Sequence, residues 1–462
     1  MNLVLAFIFI VLAVAVVAMM IVQAYRGTHP LLSVRNFFLV GFVIFQLMSA
    51  ALSLWTLTWG EVTIDSPMTT GVIYLFAATT FLVLFLWSYS RGWWVRRFAW
   101  RSRFPFPVYT PSTLLSVGGL LLVVGFVLRI VIGRNVPVLG VLTDVLAVGV
   151  LASAAGLAMW AWAPRLWNLA VAVPAGFIIL GAIACTVFQT FGRRDVVCVL
   201  LTVLFAAYQS HWRHQGWLRL AYRLGGLGVA GLIFLAAFST VRSTTSQQSD
   251  FGDVVRGITE ADVGEGLTAL ASGQFAAANS MWVIENRPDP YPYDPFHSIV
   301  YTVTNPIPRI IWPGKPDGLG YAMVRQARVY KFSENFTLGP GIIGHIFNDN
   351  PWLTLIPYAI LFGLMWRFFD EYLVVHSLNP FITIPAVVGA GEIVGIPRGE
   401  VGLFLFRSLA AMFAAWVAMR LCAGYLRAVR GSAYATAEAS PENEGDEADA
   451  GVDLGAGELQ ST

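Results

Sequence analysis

The amino-acid sequence predicts an all-α polytopic membrane protein with about 11 transmembrane helices and one large, partly helical extracytoplasmic loop. Three observations predict it. Of the 462 residues 57% are hydrophobic and only 12% are charged, with a mean hydropathy of +0.67, which does not describe a soluble chain. Apolar runs near the roughly 20 residues needed to cross a bilayer recur along the chain. One long stretch, residues 242–351, interrupts them.

In chain order the runs cover 2–24, 37–58, 70–90, 111–133, 138–163, 168–190, 196–210 and 225–241, so that residues 1–241 form an N-terminal bundle of about 8 helices. After the loop come 352–373, 380–396 and 401–423, a C-terminal part of about 3 helices over 352–423. The first run lacks a basic leader and is about twice the length of a signal-peptide core, so it reads as a spanning helix. The run at 196–210 is short; tilt or re-entry there changes the count by one. Residues 424–462 are expected to form a cytoplasmic, acidic, disordered tail. The formal net charge is +2, yet the last 32 residues carry eight acids from Glu438 to Glu458 and no base, so residues 1–430 carry +10.

Orientation follows from arginine, because short loops rich in Lys and Arg stay cytoplasmic. The loop 91–103 holds Arg91, Arg96, Arg97, Arg101 and Arg103 among Trp93, Trp94 and Trp100, whereas 59–69 holds only Glu61 and Asp65. The first is expected inside and the second outside. That choice places the N-terminus and the loop 242–351 outside, with Arg134, Arg193 and Arg194 as exceptions. A loop of this length between tightly spaced spans points to function. Thr259 followed by Asp262 resembles a capping box opening a helix near 260–271, and a second helix is expected to run to about 286. Prolines from Pro288 to Pro316 then forbid a long regular element.

Charge is segregated within the loop. Residues 250–294 hold eight acids against two bases, while 309–331 hold Arg309, Lys315, Arg325, Arg328 and Lys331 against Asp317. Such a cationic patch suits a phosphate or pyrophosphate, which needs several converging donors; the plainer reading is a solvated face pairing with the acidic half. Within the spans, Arg129, Asp144, Glu392 and Arg407 each fall about 6 to 10 Å inside the outer boundary, and Arg193, Arg194, Arg398 and Glu400 lie at it. Charges at that depth are costly and mark function or helix pairing. As a set they favour a cavity opening outward; for a single pair, Glu392 with Arg407 is the simplest helix-to-helix match.

Other chemistries lack a signature. There is no Walker A loop, no dinucleotide fingerprint after a strand, no HExxH and no GxSxG. Cys185, Cys198 and Cys422 fall inside apolar runs and the six histidines are scattered, so neither a disulfide framework nor a metal centre is expected. Composition also excludes nucleic-acid binding.

From Met281 the stretch MWVIENRPDPYPYDPFHSIVYTVTNPIPRIIWPGKP resembles the large periplasmic loop of bacterial oligosaccharide repeat-unit polymerases, the Wzy-type O-antigen polymerase family. Pro308, Arg309, Trp312, Pro313, Lys315 and Pro316 match that family's "PR…WP.KP" element in order and spacing. The glycine-rich segment from Gly339 resembles the family's return into the next span, and Arg398-Gly399-Glu400 its Arg-Gly-acid turn. The resemblance covers about 281–400. One departure stands out: His345 occupies a position where such polymerases often carry an acid.

The resemblance implies a glycosyltransferase of the bacterial cytoplasmic (inner) membrane, with its large loop periplasmic. Its substrate would be an undecaprenyl-pyrophosphate-linked oligosaccharide, joined at the outer leaflet to the end sugar of a second lipid-linked unit to build O-antigen, capsule or exopolysaccharide. A chain-length regulator protein is a further expected partner beside the lipid bilayer. Arg309, Lys315 and Arg325 are expected to hold the pyrophosphate, with Arg398 and Arg194 reaching in from the bundle and Trp312 stacking on a sugar. His345 or Glu400 is expected to take the acceptor proton, and either His345 or neighbouring Asp349 to stand in for the family's acid. No cofactor or metal is needed by this scheme. An O-antigen ligase-like transferase and a non-enzymatic carrier or flippase are the alternatives.

Overall fold

The computed structural model describes residues 2–101, 109–133, 140–187, 193–244, 262, 264, 275–329 and 336–438. Every regular element among them is a helix. Eight helices are long and apolar enough to cross a membrane: α1 (Asn2–Tyr25), α2 (Val34–Thr56), α3 (Pro67–Ala99), α4 (Pro111–Ile132), α5 (Leu142–Arg165), α6 (Leu169–Val187), α13 (Pro351–Val375) and the apolar part, Val401–Val429, of α16 (Val401–Glu438). The chain is a multi-pass membrane protein. Its starts follow local rules: Ser33 caps α2 by accepting from the Asn36 amide, Thr110 caps α4, and Asn350 caps α13 ahead of Pro351.

Two further runs are helical, α7 (Arg193–Ser210) and α8 (Trp217–Thr244). The expected span at 380–396 is not one helix. It consists of α14 (Pro380–Thr383) and α15 (Ala390–Gly395), joined by turns. Pro385 has no amide to continue the first helix, although Ile384 before it still has helical geometry. Broken backbone at membrane depth is tolerated when protein surrounds it, and residues 380–393 are buried throughout. At the other end of this region α16 continues as helix to Glu438, past the tail boundary expected at 424. Residues 439–462 lie outside the described set, as does most of the helix expected near 260–271.

The bundle has two packed centres. Helix α5 is the more buried, and its Gly149 lets the backbone of α16 approach at Ala411. The second centre is aromatic: Phe38 and Phe42 of α2, Phe81 and Phe85 of α3, and Phe362 and Trp366 of α13 are all buried, with Phe38 stacked on Phe362 at 5.7 Å. Residues such as Phe7, Phe76, Val123 and Phe177 point outward from the spans, the apolar exterior that lipid requires.

Two spans contain π-helical turns, Val43–Met48 in α2 and Val127–Ile132 in α4. Each turns a polar side chain inward. Gln46 is fully buried, donates to the carbonyl of Pro397 and accepts from Tyr74, while Arg129 is buried in an ion network described below. Among the described residues between α8 and α13, four short helices close one end of the bundle: α9 (Ala276–Glu285), α10 (His297–Thr304), α11 (Leu319–Gln326) and α12 (Gly341–Asn348). Helix α9, buried along Ala276–Ile284, packs on α12, α2 and α3.

Candidate active site

Helix α12 and the Pro397–Glu400 turn before α16 meet beneath α10, because Gly402 lets the α10 backbone cross the first turn of α16. A Cβ on Gly402 would stand 2.7 Å from Thr302 and 3.2 Å from the Ser298 carbonyl. This crossing brings the two expected proton acceptors together: His345 Nε2 lies 3.2 Å from Glu400 Oε1. The Val401 amide points at the same Nε2 from 3.3 Å, so that nitrogen accepts and Nδ1 carries the proton, donating to Ser298 Oγ at 2.7 Å. The imidazole and the carboxylate therefore face each other acceptor to acceptor, and Glu400 Oε1 has no hydrogen-bond partner.

The other carboxylate oxygen is fixed. Glu400 Oε2 accepts the Gly320 amide at 2.9 Å, at the N-terminus of α11, where free amides favour negative charge. Gly318 permits the approach, since a Cβ there would stand 3.0 Å from Oε2. Burial pushes the Glu400 carboxyl above the usual carboxylate range, opposed by the Gly320 amide. Burial lowers His345 to about 3, opposed by nearby Asp349, so the ring is neutral at physiological pH. His345 is 1% exposed and the Glu400 side chain 12%. Glu400 is the less enclosed of the two, although its Oε1, the oxygen that faces the ring, is itself buried.

Asp349 is fully buried and committed: it accepts from the Ser298 amide at 2.9 Å, the Tyr358 hydroxyl at 2.7 Å and the Asn348 side chain at 3.2 Å. It caps α10 and thereby sets Ser298 against His345.

The cationic loop adjoins this pair through Asp317, the residue before Gly318. Asp317 binds Arg309 Nη2 at 2.5 Å and Arg325 Nη2 at 2.7 Å. Both guanidinium groups hold the Asp317 carboxyl below its ordinary range, the Arg325 hydrogen bond most strongly. Two exposed arginines thus share this acid, and Arg309 also donates to the Lys315 and Pro316 carbonyls at 3.1 and 3.4 Å. Their shared acid is the patch's own. Lys315 is turned the other way: its Nζ donates to the Asn305 and Ile307 carbonyls at 2.8 and 3.2 Å, closing the loop at the end of α10. Trp312 stands exposed beside Ile310 and Ile311 at the tip of that loop. Tyr291 donates to the Gln326 carbonyl and packs on Trp282, a structural placement. Lys331 lies outside the described residues.

Arg398 is half-buried with its guanidinium over the Phe45 ring at 5.6 Å. Arg194 lies over Phe404 at 4.7 Å, and Phe404 packs against Gly399, next to Glu400. The intramembrane charges form a separate network. Arg407 binds Glu392 at 2.6 Å and Asp195 at 2.7 Å, Arg129 binds Asp195 at 3.0 Å and the Thr186 carbonyl at 3.1 Å, and Arg194 approaches Glu392 at 3.8 Å. The Glu392–Arg407 match is present. Asp195, the centre of the network, went unnoticed in the sequence, although an acid following two arginines at the head of an apolar run is itself a signal.

A second polar centre lies towards the far end of α13, about 30 Å along it from α12 at 1.5 Å per residue. Asp370 accepts the Val34 and Arg35 amides at 2.7 and 3.2 Å and the Tyr89 hydroxyl at 2.8 Å, with His29 3.7 Å away. A cavity of about 360 Å³ opens there, lined by His29, Tyr208, Gln209, Arg213 and Asp370. Among the described residues no group of three or more His, Cys, Asp or Glu is arranged to hold a metal ion. No protein-family model, no curated protein and no solved structure matches the chain.

Proposed function

We propose that this protein is a membrane glycosyltransferase that polymerises undecaprenyl-pyrophosphate-linked oligosaccharide repeat units at the outer face of a bacterial inner membrane, with the loop between α8 and α13 periplasmic. One observation carries the reading: the buried contact of His345 with Glu400 adjoins, through Asp317 and Gly318, a loop that holds two exposed arginines. Glycosyl transfer between lipid-linked units needs both parts. The acceptor hydroxyl gives its proton to Glu400, which shares it with His345 Nε2. The freed oxygen bonds to the anomeric carbon of the donor as the bond from that carbon to the diphosphate oxygen breaks. The diphosphate leaves with the electron pair, and Arg309 and Arg325 neutralise its charge by exchanging Asp317 for it.

Roles divide by exposure. Glu400 is the base because it is less enclosed than His345 and because burial raises its proton affinity towards the operating pH; His345 is a positioning residue behind it. Lys315 shapes the loop that presents Arg309. Arg194 and Arg398, held over Phe404 and Phe45 beside the Glu400 turn, add positive potential.

The test is reconstitution with purified lipid-linked repeat units. A ladder of longer lipid-linked chains is expected. Transfer only after adding a different acceptor lipid identifies a ligase, and movement across sealed vesicles without bond formation identifies a carrier; either result rejects the polymerase.

A further inference from the structure

Helix α10 has two faces. Ser298, Tyr301 and Thr304 point into the protein, while Ile299, Val300 and Val303 are exposed on the opposite side. The loop after it ends in a tip whose residues Ile310 and Ile311 are 75% and 71% exposed. Counting Trp312, six large apolar side chains are exposed on this one helix and the loop that follows it, more than solvent alone favours.

The loop is built rather than slack. The Ile311 and Trp312 amides donate to the Pro308 carbonyl at 3.0 and 3.1 Å, the Lys315 amide donates to the Trp312 carbonyl at 3.2 Å, and Lys315 Nζ ties the base. Prolines at 306, 308, 313 and 316 restrict the remaining freedom. The fold therefore holds the isoleucines outward.

Their level is fixed by Gly402. Helix α10 crosses α16 at the second residue of a membrane span, so its exposed face lies where that span enters the bilayer. Arg309 and Arg325 flank the tip, the pattern in which apolar side chains enter acyl chains while cations stay with headgroup phosphates.

We propose that α10 and the Ile310–Trp312 tip are inserted as an interfacial wedge into the phospholipid leaflet that surrounds the end of α16, with Trp312 as an interfacial anchor. The wedge would hold Arg309 and Glu400 at headgroup depth, where the diphosphate of any lipid-borne substrate lies. The insertion itself does not depend on the polymerase reading.

The test uses the full chain in phosphatidylglycerol–phosphatidylethanolamine vesicles, with a thiol-specific nitroxide on Ile311→Cys and separately on Val303→Cys, and the labelled unsubstituted chain as blank for Cys185, Cys198 and Cys422. Both positions are exposed, so the variants are expected to fold, and elution as a single species checks this. Collision with oxygen is expected to exceed collision with a water-soluble nickel chelate several-fold at both sites. Greater access to nickel than to oxygen would place the tip in water and overturn the proposal. Exclusion of both probes would mean that protein covers it, with the same consequence.

Discussion

Glu392 and Glu400 stand eight residues apart, both at the packed end of the bundle, and have opposite surroundings. Glu392 meets Arg407 at 2.6 Å and Arg194 at 3.8 Å, within a network that also holds Asp195 and Arg129. Glu400 meets an amide and a neutral imidazole. A carboxylate among guanidinium groups is a fixed charge that joins helices; one facing an acceptor nitrogen is open to a proton. The difference separates what holds the bundle together from what can do chemistry, although composition treats the two acids alike.

The largest effect should come from the saturated side. Replacing Arg407 by alanine leaves Asp195 and Glu392 buried without their main cation, a loss of about 3 to 5 kcal/mol for a broken buried pair. Thermal melting in detergent should fall sharply or the protein should fail to accumulate; an unchanged melt would mean that the network is solvated.

The next effect reverses the pattern. Glu400→Gln keeps an acceptor for Gly320 and gains a donor towards His345, so chain growth should drop on the order of 10² to 10⁴-fold while the melt holds or rises at neutral pH. The sign follows from the raised carboxyl: the wild-type acid favours the folded state below its unfolded pKa of about 4.3 and loses that contribution as pH rises through its folded value. The stability gain of the variant should vanish in acid. A large loss of melting temperature would make Glu400 structural, like Glu392.

His345 supplies a test with the opposite pH dependence. Its folded pKa of about 3 lies below the ordinary 6.5, so its contribution is present above about 6.5 and is lost as pH falls towards 3, where the unfolded chain binds a proton that the folded one resists. His29, at the other end of α13, is lowered to about 3 by the same cause, burial. His345→Gln should flatten the acid side of the stability profile, and the double variant with His29→Gln should flatten it further. A slope unchanged in both would show that neither ring is buried neutral.

The smallest structural effect belongs to the exposed pair. Arg309→Ala should change stability by less than about 1 kcal/mol, as for other surface ion pairs, while chain growth falls and the salt dependence of substrate binding weakens. Retained activity would remove Arg309 from the diphosphate site.

Much of the fold was legible in hydropathy. The runs that became α1, α4, α6, α13 and α16 announce themselves because lipid demands apolar side chains over a fixed length. The run at 380–396 misled for a physical reason: hydropathy records that a segment is buried, and Pro385 decides that it is not a helix. The site was legible in kind more than in arrangement. His345 and Glu400 were singled out as rival bases, and the fold makes them partners. Lys315 was read as a free cation, and it is spent on two carbonyls. Ser298 gave no signal, since a hydroxyl in an apolar stretch has no distinctive pattern.

By itself the sequence determined that this chain lives in a membrane, which segments meet lipid and where its cations gather, because these follow from composition and spacing along one chain. The tertiary structure decided which charges are cancelled and which proton acceptors face each other. That depends on helices crossing at Gly149 and Gly402, contacts between residues far apart in sequence, whose distances no local pattern encodes.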